Sequence, residues 1–110
     1  MKVTTKKGEL PVHFGMNTMA LFGDMADKSM NEAMTMLRNM SKAKLSDLLK
    51  FFYAAFIEGA KDAGEECKVL DQHDVGKLID DDPDLMTRIF TAYTKQSTPE
   101  DEVKEEGKKK

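Results

Sequence analysis

Residues 41–64 read SKAKLSDLLKFFYAAFIEGAKDAG. At roughly 100° of rotation per residue, the apolar and small side chains of this stretch fall within one arc about 120° wide. That arc contains Leu45, Leu48, Leu49, Phe52, Phe56, Gly59, Ala60 and Ala63. Ser41 is a suitable N-cap, and Gly64 can adopt the left-handed conformation that ends many helices. The stretch therefore predicts one long amphipathic helix against which the rest of the chain packs.

The middle of this helix is apolar nearly all round. From residue 51 to residue 57 every side chain is apolar or tyrosine, and Phe51 and Ile57 fall within the otherwise polar arc. Aromatic side chains on a helix face often anchor a partner helix, so Phe51, Tyr53 and Ile57 are candidate partner-binding residues. The alternative is that the N-terminal segment or the last helix covers them. Periodicity alone leaves both interpretations open.

Two shorter helices are predicted before the long one. Asn17 can cap a first helix that runs to about Ala26. Ser29 and Glu32 have the spacing of a capping box, which predicts the start of a second helix ending near Asn39. The short connections between these helices are typical of antiparallel neighbours.

Two more helices are predicted after the long one. A short helix of about two turns follows Asp71 and carries the apolar residues Val75, Leu78 and Ile79. Residues 82–84 read Asp-Pro-Asp, which suits an N-cap, a proline at the first helical position and an acid near the positive helix end. The apolar face of the last helix comprises Leu85, Met86, Ile89, Phe90 and Tyr93.

The two ends of the chain differ from the middle. Residues 1–15 predict a short β-hairpin or an extended arm, because loosely alternating apolar residues flank Gly8 and Pro11 suits an edge position. Residues 97–110 are strongly charged, with Val103 as their one apolar residue, so we expect a disordered tail. The predicted fold is mainly α. A single-domain bundle of about five helices, residues 16–96, surrounds the long central helix.

Composition excludes several classes of function. The chain has 110 residues and a net charge of −3, with basic clusters only near its ends, which argues against nucleic-acid binding. Its longest apolar run is far below the roughly 18 residues of a membrane helix, and the N-terminus lacks a secretory apolar segment. The single cysteine, Cys67, cannot form an internal disulfide. We therefore expect a cytoplasmic protein that binds neither nucleic acid nor membrane.

The residues that could carry out chemistry are scattered. His13, His73 and Cys67 have none of the spacings typical of a zinc site or a catalytic motif, although the fold could still form a Cys–His pair. The aspartates within residues 80–84 lack the spaced ligands of a calcium loop and are interpreted as helix caps and solvated charge. The sequence therefore predicts no enzymatic activity, no cofactor and no metal.

Methionine is abundant, with nine in the chain, and most lie between Met16 and Met40. Because methionine is flexible and polarisable, it can line a groove that adapts to different apolar ligands. The methionines mostly follow the helical stripes, so we expect them mainly to fill the core between the first two helices. The groove interpretation keeps Met34 and Met40 as secondary partner-binding candidates.

Several segments occur in a distinctive order. LPVHFGMN at residues 10–17 precedes the two small helices, and LSDLL and FYAAFIEGA lie on the long helix within residues 45–60. DVGKLID at residues 74–80 then leads to DPDLM and an apolar last helix. This order, over about residues 10–93, resembles the small tail assembly chaperones of long-tailed bacteriophages and prophages.

The resemblance implies a non-enzymatic role. Such chaperones coat the long, helical and aggregation-prone tape measure protein before tail tube proteins polymerise around it. The resemblance implies that the partner is the tape measure protein, with the tail tube protein as a second candidate. Separately, an uncovered apolar patch on the central helix could also support self-association. The alternative, from a different class, is a small helical adaptor or regulatory protein that binds another bacterial protein.

Overall fold

The computed structural model describes residues 1–97, which form a two-stranded hairpin followed by five α-helices. The elements are β1 Lys2–Thr5, β2 Gly8–Pro11, α1 Met16–Ala26, α2 Met30–Arg38, a 3-10 turn Met40–Lys42, α3 Leu45–Ala63, α4 Gln72–Asp81 and α5 Asp84–Ser97. This mainly helical architecture with an N-terminal hairpin confirms the predicted fold class. The expected disordered tail lies, except for Ser97, outside the described residues.

The N-terminal segment is a hairpin rather than an irregular arm. β1 and β2 pair antiparallel, with Val3 opposite Leu10, and Pro11 stands at the end of the ladder opposite Lys2. Gly8 has a φ of 101°, a conformation that glycine adopts without steric cost, and it follows the turn between the strands. Val3 and Leu10 are buried, so the hairpin contributes apolar side chains to the core.

α3 is the central element, as expected. α1, α4 and β2 pack against it, and its buried residues are Leu48, Phe51, Phe52, Ala54, Ala55, Phe56, Gly59 and Ala60. Gly64 ends the helix in the left-handed conformation, with a φ of 70°, and its N–H donates to the carbonyls of Ala60 and Lys61. The predicted C-cap is therefore confirmed.

The two predicted N-caps at Ser41 and Asn17 are wrong. α3 begins at Leu45 because Lys44 is extended, and Ser41 lies instead in the preceding 3-10 turn, where its hydroxyl donates to Asn39. α1 begins at Met16 with Gly15 as its N-cap. Asn17 is thus already inside the first turn, where its side chain is exposed. In both cases the backbone just before the helix decides where the helix starts.

The starts of α2 and α4 follow the sequence pattern, whereas α5 begins at Asp84, so the expected start with Asp82 as N-cap and Pro83 at the first helical position is wrong. The Ser29 hydroxyl accepts from the N–H of Glu32 and the Glu32 carboxylate accepts from the N–H of Ser29, which confirms the capping box. These hydrogen bonds to Ser29 lower the pKa of Glu32. Asp71 caps α4 by accepting from the N–H of Asp74 at 2.8 Å, and α4 is longer than the two turns expected.

The hairpin is joined closely to α3. The N–H of His13, just after β2, donates to the carbonyl of Ala55 at 3.1 Å. At Gly59, one turn further along α3, a Cβ atom would collide with the carbonyl of Pro11 and lie 2.5 Å from the Cα of Val12. Glycine is therefore required at this position because backbone meets backbone there.

Replacing Gly59 with alanine should lower the free energy of unfolding by about 1–3 kcal/mol or more, since the added methyl forces the hairpin away from α3. Gly76→Ala is the matched control. Gly76 also lies within a helix, and its added Cβ would meet only a Leu49 methyl, at an ordinary 3.6 Å. Alanine should therefore be neutral there or stabilise by up to about 1 kcal/mol. Urea unfolding of both variants checks this, and equal effects would contradict the close approach.

Candidate partner-binding groove

Phe51 is enclosed by aromatic side chains from other parts of the chain. Its ring centroid lies 5.4 Å from those of Phe14 and Phe22 and 5.7 Å from that of Tyr93. Only 1% of Phe51 is exposed. Of the two interpretations that periodicity leaves open for Phe51, that of an exposed partner-binding anchor is therefore wrong. The alternative interpretation, coverage by the N-terminal segment and the last helix, is the one the structure shows.

Hydrogen bonds hold this aromatic cover in place. The Gln96 side chain on α5 accepts from the N–H of Phe14 at 2.7 Å and donates to the carbonyl of Val12 at 3.3 Å. The Thr18 hydroxyl on α1 donates to the carbonyl of His13 at 2.5 Å. Residues 12–14 are thereby fixed between α1 and α5, and Phe14 is kept over Phe51.

Tyr53 and Ile57 are half-buried. The Tyr53 hydroxyl donates to the carbonyl of Leu70 at 2.9 Å, which ties α3 to the segment before α4. Burial, and then the nearby Cys67 and Asp71, raise the pKa of Tyr53. The interpretation of Tyr53 and Ile57 as partner-binding residues stays a prediction.

An open apolar groove lies above the aromatic cluster. Its volume is about 430 Å³. It is lined by Phe14, Gly15, Met16, Met19, Met34, Leu37, Arg38, Phe51 and Tyr93. Phe51 thus belongs to the base of the groove, whereas 67% of Met16 and 39% of Met34 are exposed. Of the methionines chosen from the sequence, Met34 lines the groove and Met40 is half-buried in the 3-10 turn.

A second, smaller depression continues this surface along α1 and α2. It has a volume of about 130 Å³ and is lined by Met16, Met19, Ala20, Gly23, Ser29, Met30 and Ala33. Because Met16 and Met19 line both depressions, they form one surface, which we call the methionine groove. Met30 is 60% exposed beside it.

The methionines differ in how far they are buried. Met36 is buried, and Met19, Met25, Met40 and Met86 are partly buried against the core, as the core interpretation expects. Met16, Met30 and Met34 are exposed. These three methionines therefore depart from the expectation that the methionines mainly fill the core. The spacing of Met30 and Met34, four residues apart on α2, was the available signal for an exposed apolar stripe.

Within residues 1–97 no three His, Cys, Asp or Glu side chains are arranged to hold a metal ion. The Cys67 thiol donates to the carbonyl of Val69, and the Asp82 carboxylate pairs with Arg88. No helix in the same range has the length and hydropathy needed to cross a bilayer.

Comparison with known proteins finds no counterpart: no protein-family model, no curated protein and no solved structure matches this chain. The geometry of the groove and the order of the sequence segments are therefore the basis for a proposed function.

Asp74, at the start of α4, joins the hairpin turn to the segment that follows α3. Its carboxylate accepts from the Lys7 ammonium at 2.8 Å and from the N–H of Leu70 at 3.0 Å. The same ammonium donates to the carbonyl of Lys68. The hydrogen bond from Lys7, followed by that from Leu70, lowers the pKa of Asp74 below its ordinary value of 3.8. Ionised Asp74 therefore stabilises the folded state.

Because the folded-state pKa is the lower one, this contribution is fully present above pH 3.8 and is lost as the pH falls through the folded-state value. Asp74→Asn should therefore be less stable than the wild type by about 1 kcal/mol at pH 7, and the difference should shrink on acidification below pH 3.8. Urea unfolding of both proteins at several pH values from 7 downward measures this difference in the free energy of unfolding. Asp80→Asn, an exposed position on the same helix, is the control. A difference independent of pH would contradict this role.

Proposed function

We propose that this chain is a non-enzymatic tail assembly chaperone of a long-tailed bacteriophage or prophage. It binds the tape measure protein in the cytoplasm of the bacterial host and keeps it from aggregating until the tail tube forms. The observation that carries the proposal is the methionine groove, an open apolar surface between α1 and α2 on a small helical domain. The order of sequence segments from residue 10 to residue 93 supports the same function.

The groove suits repeated, reversible contact with helices. Its exposed side chains are chiefly methionines, whose flexible thioethers can repack around different apolar side chains. Its base is rigid, since Phe51 is held by Phe14, Phe22 and Tyr93. A long tape measure protein presents many amphipathic helical segments, and each needs only a weak contact because many chaperone copies bind along it. Weak individual contacts also allow the tube proteins to displace the chaperone.

The alternative, an adaptor that binds a different bacterial protein, would use the same groove. Gene order separates the two functions. A tail chaperone should be encoded between the tail tube and tape measure genes, whereas an adaptor has no such constraint.

Co-expression with the neighbouring tape measure protein tests the proposal. The wild-type chain should increase the soluble fraction of that protein. Met16→Glu combined with Met34→Glu should abolish most of the increase, since placing charges in an apolar contact weakens binding by about tenfold or more. Both side chains are exposed in the free protein, so thermal unfolding of the variant should change little. Phe51→Asp is unsuitable as a test, because it would bury a charge in the core.

Leu70→Glu is the matched control. Leu70 is an exposed apolar residue, 75% accessible, that lies outside the groove lining, so this variant should keep the wild-type effect. No increase in solubility with the wild-type chain would contradict the chaperone function. An undiminished increase with the double variant would contradict the proposed binding surface.

A further inference from the structure

Among residues 1–97, Arg38 is the one charged residue that lines the methionine groove. It is the last residue of α2, and its exposed side chain stands beside Met34 and Leu37 at the end of the groove near Phe14. A guanidinium at the edge of an otherwise apolar surface is a feature that apolar contact alone does not require.

Some of the other basic side chains near helix ends have acidic partners. Arg88 pairs with Asp82, and Lys28 at the other end of the α1–α2 pair contacts Asp47 at 3.4 Å. Arg38 makes no ion pair or side-chain hydrogen bond with any residue between 1 and 97. Its charge does favour the C-terminal end of α2 through the helix dipole, and a lysine would do the same.

The shape of the groove indicates what it accommodates. In the smaller depression, residues from the end of α1 lie beside residues from the start of α2. The two helices therefore run antiparallel, and the groove follows the line between them. α1 has 11 residues and is therefore about 16 Å long. A third helix of about three turns fits along such a seam, with apolar side chains on successive turns between the methionines.

We propose that the occupant is an amphipathic helix that carries a carboxylate at one end of its apolar face, and that Arg38 binds this carboxylate. The inference rests on the proposed function and deepens it, because it specifies which helices of a client are bound. A guanidinium can bind a carboxylate through two parallel hydrogen bonds, and the neighbouring apolar contact removes water from them. Arg38 thus sets the register and direction of the bound helix, and the methionines supply adaptable apolar contact.

Synthetic peptides test this directly. Each is about 14 residues long, or roughly four helical turns, with leucine and methionine on one face. The peptides form two pairs, and within each pair one peptide has a glutamate where the other has a glutamine. This position is at the N-terminal end of the apolar face in the first pair and at the C-terminal end in the second. Both pairs are needed because the helix can dock in either direction. Fluorescence anisotropy measures binding to the full chain. In one of the pairs, the wild type should bind the glutamate peptide about three- to tenfold more tightly than the glutamine peptide.

Arg38→Gln should lose this preference and bind both peptides of that pair with the affinity that the wild type has for the glutamine peptide. Unchanged affinity for the glutamine peptide shows that the groove is intact. Arg38→Lys should keep a reduced preference, because it retains the charge without the planar pair of donors. Arg38→Glu should in turn prefer a peptide with lysine at the same position.

Three results would overturn the inference. Equal binding of the glutamate and glutamine peptides by the wild type, in both pairs, would exclude carboxylate recognition and leave the chaperone proposal intact. Binding of none of the peptides would exclude an amphipathic helix as the occupant, whereas the co-expression experiment would still decide the chaperone function on its own. A glutamate preference that persists in Arg38→Gln would assign recognition to another residue and also contradict the inference.

Discussion

The packing of Phe51 joins three distant parts of the chain. Its ring contacts Phe14 from the segment after the hairpin, Phe22 from α1 and Tyr93 from α5. Offset and edge-to-face aromatic pairs of this kind add to the free energy gained from burial itself. Because Phe51 faces away from the main apolar stripe of α3, this contact needs the hairpin and α5 to lie on that side of α3. The position of the hairpin and the form of the groove both depend on it.

Other features of the fold make this contact possible. Gly59 lets the backbone of residues 11 and 12 approach α3, and the carbonyl of Ala55 accepts from the N–H of His13. Gln96 then fixes Phe14 from the side of α5. The same constraint gives the methionine groove a rigid aromatic base, while its rim consists of flexible thioethers. A firm base with an adaptable rim is a physical basis for binding many related helices weakly.

Much of the fold could be predicted from the sequence because it depends on local interactions. The helical stripes, the Ser29 capping box and the Gly64 C-cap each involve residues within a few positions of one another. The N-caps of α3 and α1 could not be predicted in this way, because they are Lys44 and Gly15, neither of which makes a side-chain cap hydrogen bond. The burial of Phe51 could not be derived, because its cover comes from residues far away in sequence. The helical periodicity indicates that Phe51 lies outside the apolar stripe of α3, but it does not indicate which residues contact the ring.

Methyl NMR of the nine methionines tests the central claim, that the surface between α1 and α2 binds the client. Spectra of the free chain are compared with those of its complex with the tape measure protein. We expect the ε-methyl signals of Met16, Met30 and Met34 to shift on complex formation, because these side chains are exposed along the groove. The signals of Met36 and Met86, in and against the core, should stay in place. Unchanged groove methionines, with shifts confined to other parts of the molecule, would contradict this account.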